Sequence, residues 1–314
     1  IYTTDLYHPH DDPDDHYDLL TLFALPEFDI RAIVVDLGER GKDRPAGAAL
    51  RQVMHMTGRT APWATGLVGN LASPEDTAPG RSEAEEQGVR LILKTLAAAA
   101  EPVTVFTTGS LRDVAVAFNR SPGLFREKVK RLYVNAGAAG DRVEWNVDLD
   151  SHAFVRIMSS GLPVFWAPCF GEAGYGTYWQ FRQGDILEDA PGPVRNYLLF
   201  MFKKEDPEHI DPVAYLSRAH DVQFESRVWA ETRNMWCTAP LLHAAGREGR
   251  TWSFVERGVL VAEYGRATLS EVDAAQRMRV FQVTDEAAYP GAMREVLAAA
   301  LRRVTAPGPA DSGD

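Results

Sequence analysis

The sequence is poor in cysteine, with only Cys169 and Cys237 in 314 residues. Neither forms a CxxC pair or a zinc-type spacing, so no thiolate metal centre is read. Two thiols do not fix the redox compartment, but they read as buried thiols of a cytosolic protein. No apolar run approaches the ~20 residues needed to span a bilayer, and no signal peptide is visible. The expectation is a cytoplasmic protein with no membrane partner. The chain opens at Ile1 inside a strand-like stretch, which leaves an upstream segment open. Positive charge is also short: 33 Lys and Arg stand against 44 Asp and Glu, a net charge of -11. Such a chain repels polyanions, so a nucleic-acid polymer is a poor partner. Small neutral or cationic ligands and metal cations remain open.

What is present is a globular composition. Hydrophobic residues make up 45% and charged residues 25%, enough to bury one large core or two modest ones. No internal repeat is found. Strand-like segments at 1–5, 29–36, 102–109, 130–137 and 163–169 alternate with helical stretches at 13–25, 46–58, 82–100, 111–119 and 150–160. That order predicts a doubly wound, open α/β sheet of mostly parallel strands. Residues 193–204 and 231–246 read as helical, strands return near 257–283, and a last helix covers 286–303. No linker interrupts residues 1–304, read as one domain, and 305–314 reads as a disordered tail.

In such sheets ligands sit beyond the carboxyl ends of the strands. Acids gather there. "TDLYHPHDDPDDHYDLL" (4–20) places six aspartates and three histidines in seventeen residues, just after the first strand. Asp12 suits an N-cap, Pro13 the first helical position, and Asp14 and Asp15 the positive end of the helix dipole. Capping accounts for some of these acids. It does not account for Asp5 and Asp11 beside them, since clustered carboxylates repel unless a cation neutralises them. Oxygen donors favour Ca²⁺ or Mg²⁺ over zinc. Capping and metal binding both stay open on this local pattern. "DDPDD" also matches a DDxxD diphosphate motif, but that motif lies inside a helix, which Pro13 would break.

The chain resembles the inosine–uridine-preferring nucleoside hydrolase family. Four segments carry the resemblance, in order. Asp5, Asp14 and Asp15 are similar to the family's DxDPGxDD loop, although the loop here is longer and lacks the glycine. "TTGSLRDVAVA" (107–117) is similar to GPLTNLALA. "EWNVDLDSHAF" (144–154) is similar to EFNxxxDPEAA, continued by "SGLPVFWAPC" (160–169). "DPVAYL" (211–216) is similar to HDPLA. The resemblance implies a single Ca²⁺ and hydrolysis of an N-ribosyl bond. Asp5, Asp15, Asp211 and the main-chain carbonyl of Arg112 would be metal ligands. Asp14 would be the general base on a calcium-bound water, and Glu144 and Asn146 would bind sugar hydroxyls. Whether Asp5 or Asp11 and Asp12 open the ligand set is not fixed. The family's homo-oligomeric habit is also expected.

The departures are specific. Ile210 stands where the family has its leaving-group histidine, and His209 and His220 are the nearest candidates. Glu39 stands in place of a substrate-binding asparagine, and Asp141 or Arg142 occupies the neighbourhood of another. Trp145, Trp179 and Trp236 are candidates to line a base pocket. His8, His10 and His16 read as lining the loop over the pocket, Asp36 as a supporting acid or a turn cap, and Asp150 as a helix cap. The alternative to a hydrolase is a repurposed, metal-dependent nucleoside or sugar binder that lacks the leaving-group acid. A structural protein with an acidic rim is the third possibility.

Overall fold

The computed structural model describes residues 1–304 except 45, 173, 220, 248, 273 and 274, so His220 and the expected tail at 305–314 lie outside the described residues. β1 (Tyr2–Thr4) leads through a long loop into α1 (Asp14–Ala24). Then come β2 (Ile33–Val35), α2 (Gly38–Gly41), α3 (Gly47–Thr57), β3 (Trp63–Thr65), α4 (Gln87–Ala98) and β4 (Val103–Thr108). The chain continues through α5 (Arg112–Arg120), α6 (Pro122–Lys128), β5 (Val129–Val134), α7 (Trp145–Leu149), α8 (Ser151–Met158) and β6 (Val164–Trp166). A helical region with small hairpins follows: β7 (Phe170–Gly171), β8 (Gly174–Tyr175), β9 (Trp179–Arg182), α9 (Gly184–Leu187), α10 (Gly192–Phe202), α11 (Pro212–Tyr215), α12 (Val222–Ala230), β10 (Thr232–Met235) and α13 (Thr238–Ala244). β11 (Trp252–Val261), β12 (Ala267–Leu269), β13 (Gln276–Val283) and α14 (Tyr289–Leu301) complete the fold.

The main sheet has nine strands in the order β12-β11-β13-β6-β5-β4-β1-β2-β3. Strands from β13 through β3 pair in parallel, and only β11 runs against its neighbours. This is the open, mostly parallel α/β sheet expected. Alternation explains how it is covered on both faces. Tyr2, Ile33, Val35, Phe106 and Tyr133 join a core with α1, α3, α10 and α14. Val34, Val105, Leu132 and Val134 point the other way, into a core with α4, α5 and α8. α4 shows the matching helical period, burying Val89, Ile92 and Leu96 on one stripe. Gly88 lets it approach closely, since a Cβ there would stand 2.7 Å from Val34.

Three local expectations are corrected. Residues 231–246 are not one helix, because β10 pairs antiparallel with β9 before α13 begins. β3 was not anticipated; it is a three-residue edge strand with Trp63 exposed, too short to show a period. α6 was not separated from its surroundings, because Ser121 both ends α5 and stands immediately before the Pro122 start of α6.

Candidate active site

Chain order reverses across the sheet between β1 and β4, the topological switch point where α/β sheets bind ligands. A cavity of about 390 Å³ opens there, a volume suited to a small organic ligand. Its floor is the end of β1 and the start of α1: Asp5, Asp14 and Asp15 all line it. Glu144 and Asn146 line it from the start of α7. The five residues expected from separate segments of sequence therefore meet in one cavity.

Local structure positions each of them. Asp14 and Asp15 open α1, with Pro13 before them and no side-chain cap. Their carboxylates are therefore not consumed by capping. Thr4 Oγ1 donates to Asp15 Oδ1 at 2.7 Å, and Asp5 and Asp15 lie within hydrogen-bonding reach of each other. Gly109 permits the crowding behind them, since a Cβ would meet the Asp5 nitrogen at 3.1 Å and Asp36 Oδ2 at 3.2 Å. Glu144 caps α7: Oε1 accepts from the Asn146 N–H at 3.1 Å and Oε2 from the Gly137 N–H at 2.7 Å. Asn146 Nδ2 donates to the Asn135 carbonyl at 3.4 Å. Asn146 Oδ1 is buried with no partner among the described residues, an acceptor left over on the cavity wall.

The electrostatics follow from this crowding. Burial pushes the Asp5 carboxyl well above the usual range, and Asp36 and Asp14 push it further. Burial does the same to Asp14, with Asp15, Asp12 and Asp18 adding repulsion. Asp15 is raised by burial and by Asp5. Burial also raises Glu144. Three mutually repelling oxygen donors suit a hard dication, which would remove the repulsion. Among the described residues, however, no group of three or more His, Cys, Asp or Glu surrounds a common metal position.

Of the remaining candidates, some line the cavity and others do not. Arg112 opens α5, and its side chain is directed into the protein. It donates to Asp36 Oδ1 at 3.0 Å, Asp150 Oδ2 at 3.1 Å, Leu67 O at 3.2 Å, Asn70 Oδ1 at 3.2 Å and Leu149 O at 3.0 Å. Just before it, Leu111 is held at φ +63°, a strained conformation for a branched residue. Asp211 is exposed and caps α11, accepting from the Val213 N–H at 2.9 Å. Glu39 is exposed on α2 and pairs with Lys42 at 2.7 Å. Neither Asp211 nor Glu39 lines the cavity. His209 is exposed and bonded to Asp206 at 2.7 Å, while Ile210 packs against the core. Trp145 and Trp236 line the cavity, whereas Trp179 is buried against Phe181. Asp150 caps α8 by accepting from the Ala153 N–H at 3.1 Å.

Several wall residues carried no sequence signal as a group. Tyr7, Arg40, Cys169 with Phe170, and Cys237 reach the cavity from four separate segments of the chain. His16 lines it as well. His8, His10 and His16 cluster against α10, with His10 and His16 ring centroids 5.8 Å apart. Burial lowers His10 to about 4 and His16 well below its ordinary value. The histidines therefore do not neutralise the adjacent acids near pH 7.

The comparisons bear on the family and the fold. The family model described as inosine-uridine preferring nucleoside hydrolase matches residues 7–275. The pyrimidine-specific ribonucleoside hydrolase RihA of Escherichia coli is 30% identical over 179 residues, covering 49% of this chain and 56% of that protein. The match thus spans about half the length of that curated relative. A plant nucleoside hydrolase, PpNRh1, aligns with a TM-score of 0.60 at 16% identity, covering 98% of each chain. The inosine-uridine preferring nucleoside hydrolase of Bacillus anthracis aligns at 0.58 and 14% identity, covering 96% of this chain and 99% of that one. With its parallel sheet, its switch-point cavity and a family match over most of its length, the chain belongs to the inosine-uridine preferring nucleoside hydrolase family.

Proposed function

We propose that the protein is a Ca²⁺-dependent hydrolase of an N-ribosyl bond in a small nucleoside-like substrate. The observation that carries this reading is the meeting of Asp5, Asp14 and Asp15 with Glu144 and Asn146 in one cavity at the switch point. RihA, named as a pyrimidine-specific ribonucleoside hydrolase, supports the same substrate class. Metal dependence is a general property of the family. Asp5 and Asp15 would hold the ion. A bound Ca²⁺ would neutralise the clustered carboxylates and make a nearby water more acidic.

The chain's own residues supply the rest. Asp14, at the first turn of α1, takes the proton from the attacking water. Glu144 and the unpartnered Asn146 Oδ1 accept hydrogen bonds from sugar hydroxyls and fix the ring. Positive charge develops on the sugar as the glycosidic bond breaks, and the acidic floor stabilises it. The test is a panel of purine and pyrimidine nucleosides with calcium, reading released base and reducing sugar. Asp14→Asn should lower kcat by roughly 10²–10⁴-fold with metal binding intact. Full turnover by that variant would remove Asp14 as the base.

A second reading has one observation in its favour. Ile210 cannot donate a proton, and His209 is turned out to Asp206. A binder without turnover would show ligand-induced thermal stabilisation but no released base.

A further inference from the structure

The outer wall of the cavity holds a feature that sugar binding and water activation do not use. Arg40 lines the cavity, and its guanidinium lies 4.3 Å over the ring of Trp145. Its side chain is 53% exposed. Asp11, the one carboxylate within ion-pair range of it among the described residues, stands 3.7 Å away. That carboxylate is already engaged: Arg44 donates to its two oxygens at 3.1 and 3.2 Å, and Tyr7 Oη donates at 2.9 Å. Arg40 itself makes no guanidinium hydrogen bond among the described residues.

Arg142 does not line the cavity, but it lies 4.4 Å over the ring of Phe170, which does. Among the described residues no carboxylate lies within ion-pair distance of it. A guanidinium over an aromatic ring is held by the ring's π-face and not by an N–H acceptor, so its N–H fork remains available to phosphate oxygens. The cavity is therefore polarised. Carboxylates form its floor, Arg40 over Trp145 stands at its outer wall, and Arg142 sits on the lining residue Phe170.

We propose that the ligand carries a phosphate ester beyond its ribosyl group, held by Arg40, with Arg142 on Phe170 adding only longer-range positive potential. The substrate class is then a nucleoside 5′-phosphate or a larger ribosyl phosphate, not a plain nucleoside. The inference rests on the ribosyl reading of the floor. It does not require that the protein hydrolyse what it binds.

Calorimetry with the full chain and calcium tests it, using ribose and ribose 5-phosphate as probes. Ribose 5-phosphate should bind at least about tenfold more tightly, and added salt should shrink that advantage. In Arg40→Gln the ratio of the two affinities should fall by about tenfold, and in Arg142→Gln by less. Equal affinity for the two sugars overturns the proposal. So does an Arg40→Gln loss that is the same for both, which would make Arg40 part of a stacking wall for an uncharged base. Binding of neither sugar overturns it together with the ribosyl reading. Preferred binding of the phosphate without cleavage of any nucleoside or nucleotide supports the proposal and removes hydrolysis alone.

Discussion

Two groups of carboxylates stand at the same end of the sheet, and the protein treats them in opposite ways. Asp36 and Asp150 share Arg112, whose side chain is 1% exposed and spends all five N–H donors on protein oxygens. Asp5, Asp14 and Asp15 have no lysine or arginine in ion-pair contact among the described residues. Two neighbouring arginines are engaged on other acids, Arg44 on Asp11 and Arg233 on Asp12. Asp18 shows a third solution. Burial pushes it up to about 8, and Thr238 Oγ1 donates to it at 3.3 Å. One set of acids is closed by arginine, one acid keeps its proton, and one set is left for something the chain does not supply.

The largest effect comes from opening the closed group. Arg112→Met leaves Asp36 and Asp150 buried without a cation, and should cost about 3–5 kcal/mol in urea unfolding. Adding Asp36→Asn and Asp150→Asn to that variant should restore part of the loss. If the triple variant is no more stable than Arg112→Met, the arginine acts through packing and not through charge.

Asp18 gives the next contrast. Its folded value, about 8, lies above the unfolded value of a carboxyl, about 3.9. The folded state thus binds a proton that the unfolded state has lost. Its stabilisation is complete at low pH and disappears as pH rises through about 8. Asp18→Asn should flatten that fall in melting temperature between acidic and mildly alkaline pH. A variant whose melting tracks the parent at every pH would show that Asp18 is ionised in the fold.

The open group should respond to a dication where the closed group does not. Calcium at about 100 times its dissociation constant should stabilise the protein by about 2.7 kcal/mol, and a chelator should reverse it. Asp15→Asn should abolish most of that increment. An equal calcium shift in the variant would place the ion elsewhere.

Much of this was legible in the chain itself, for reasons that differ by residue. The alternation of β-branched runs with amphipathic helices reports burial directly, so the parallel sheet and its acidic carboxyl edge could be read. Asp5, Asp14, Asp15, Glu144 and Asn146 each follow a strand end or open a helix, where local sequence fixes geometry. Arg112 was legible as a position but not as a side chain. Nothing in "GSLRD" says that its guanidinium will find Asp36 and Asp150, which lie far away in sequence. Arg40, Phe170 and Cys237 reach the cavity from separate segments, on a four-residue helix, a two-residue strand and a helix start, all too short to carry a period that announces a shared wall.

Glu39 and Arg40 make the smallest and sharpest contrast, because they are adjacent. The resemblance read in the sequence puts Glu39 at the sugar, whereas the fold turns it outward onto Lys42 and gives the cavity wall to Arg40. A solvent-exposed pair of this kind contributes little to stability and nothing to a ligand it does not face. Glu39→Gln should therefore change kcat/KM by less than about twofold and leave melting nearly unchanged. A rise in KM of about tenfold or more in Glu39→Gln would mean that α2 rotates on binding and exchanges the two side chains.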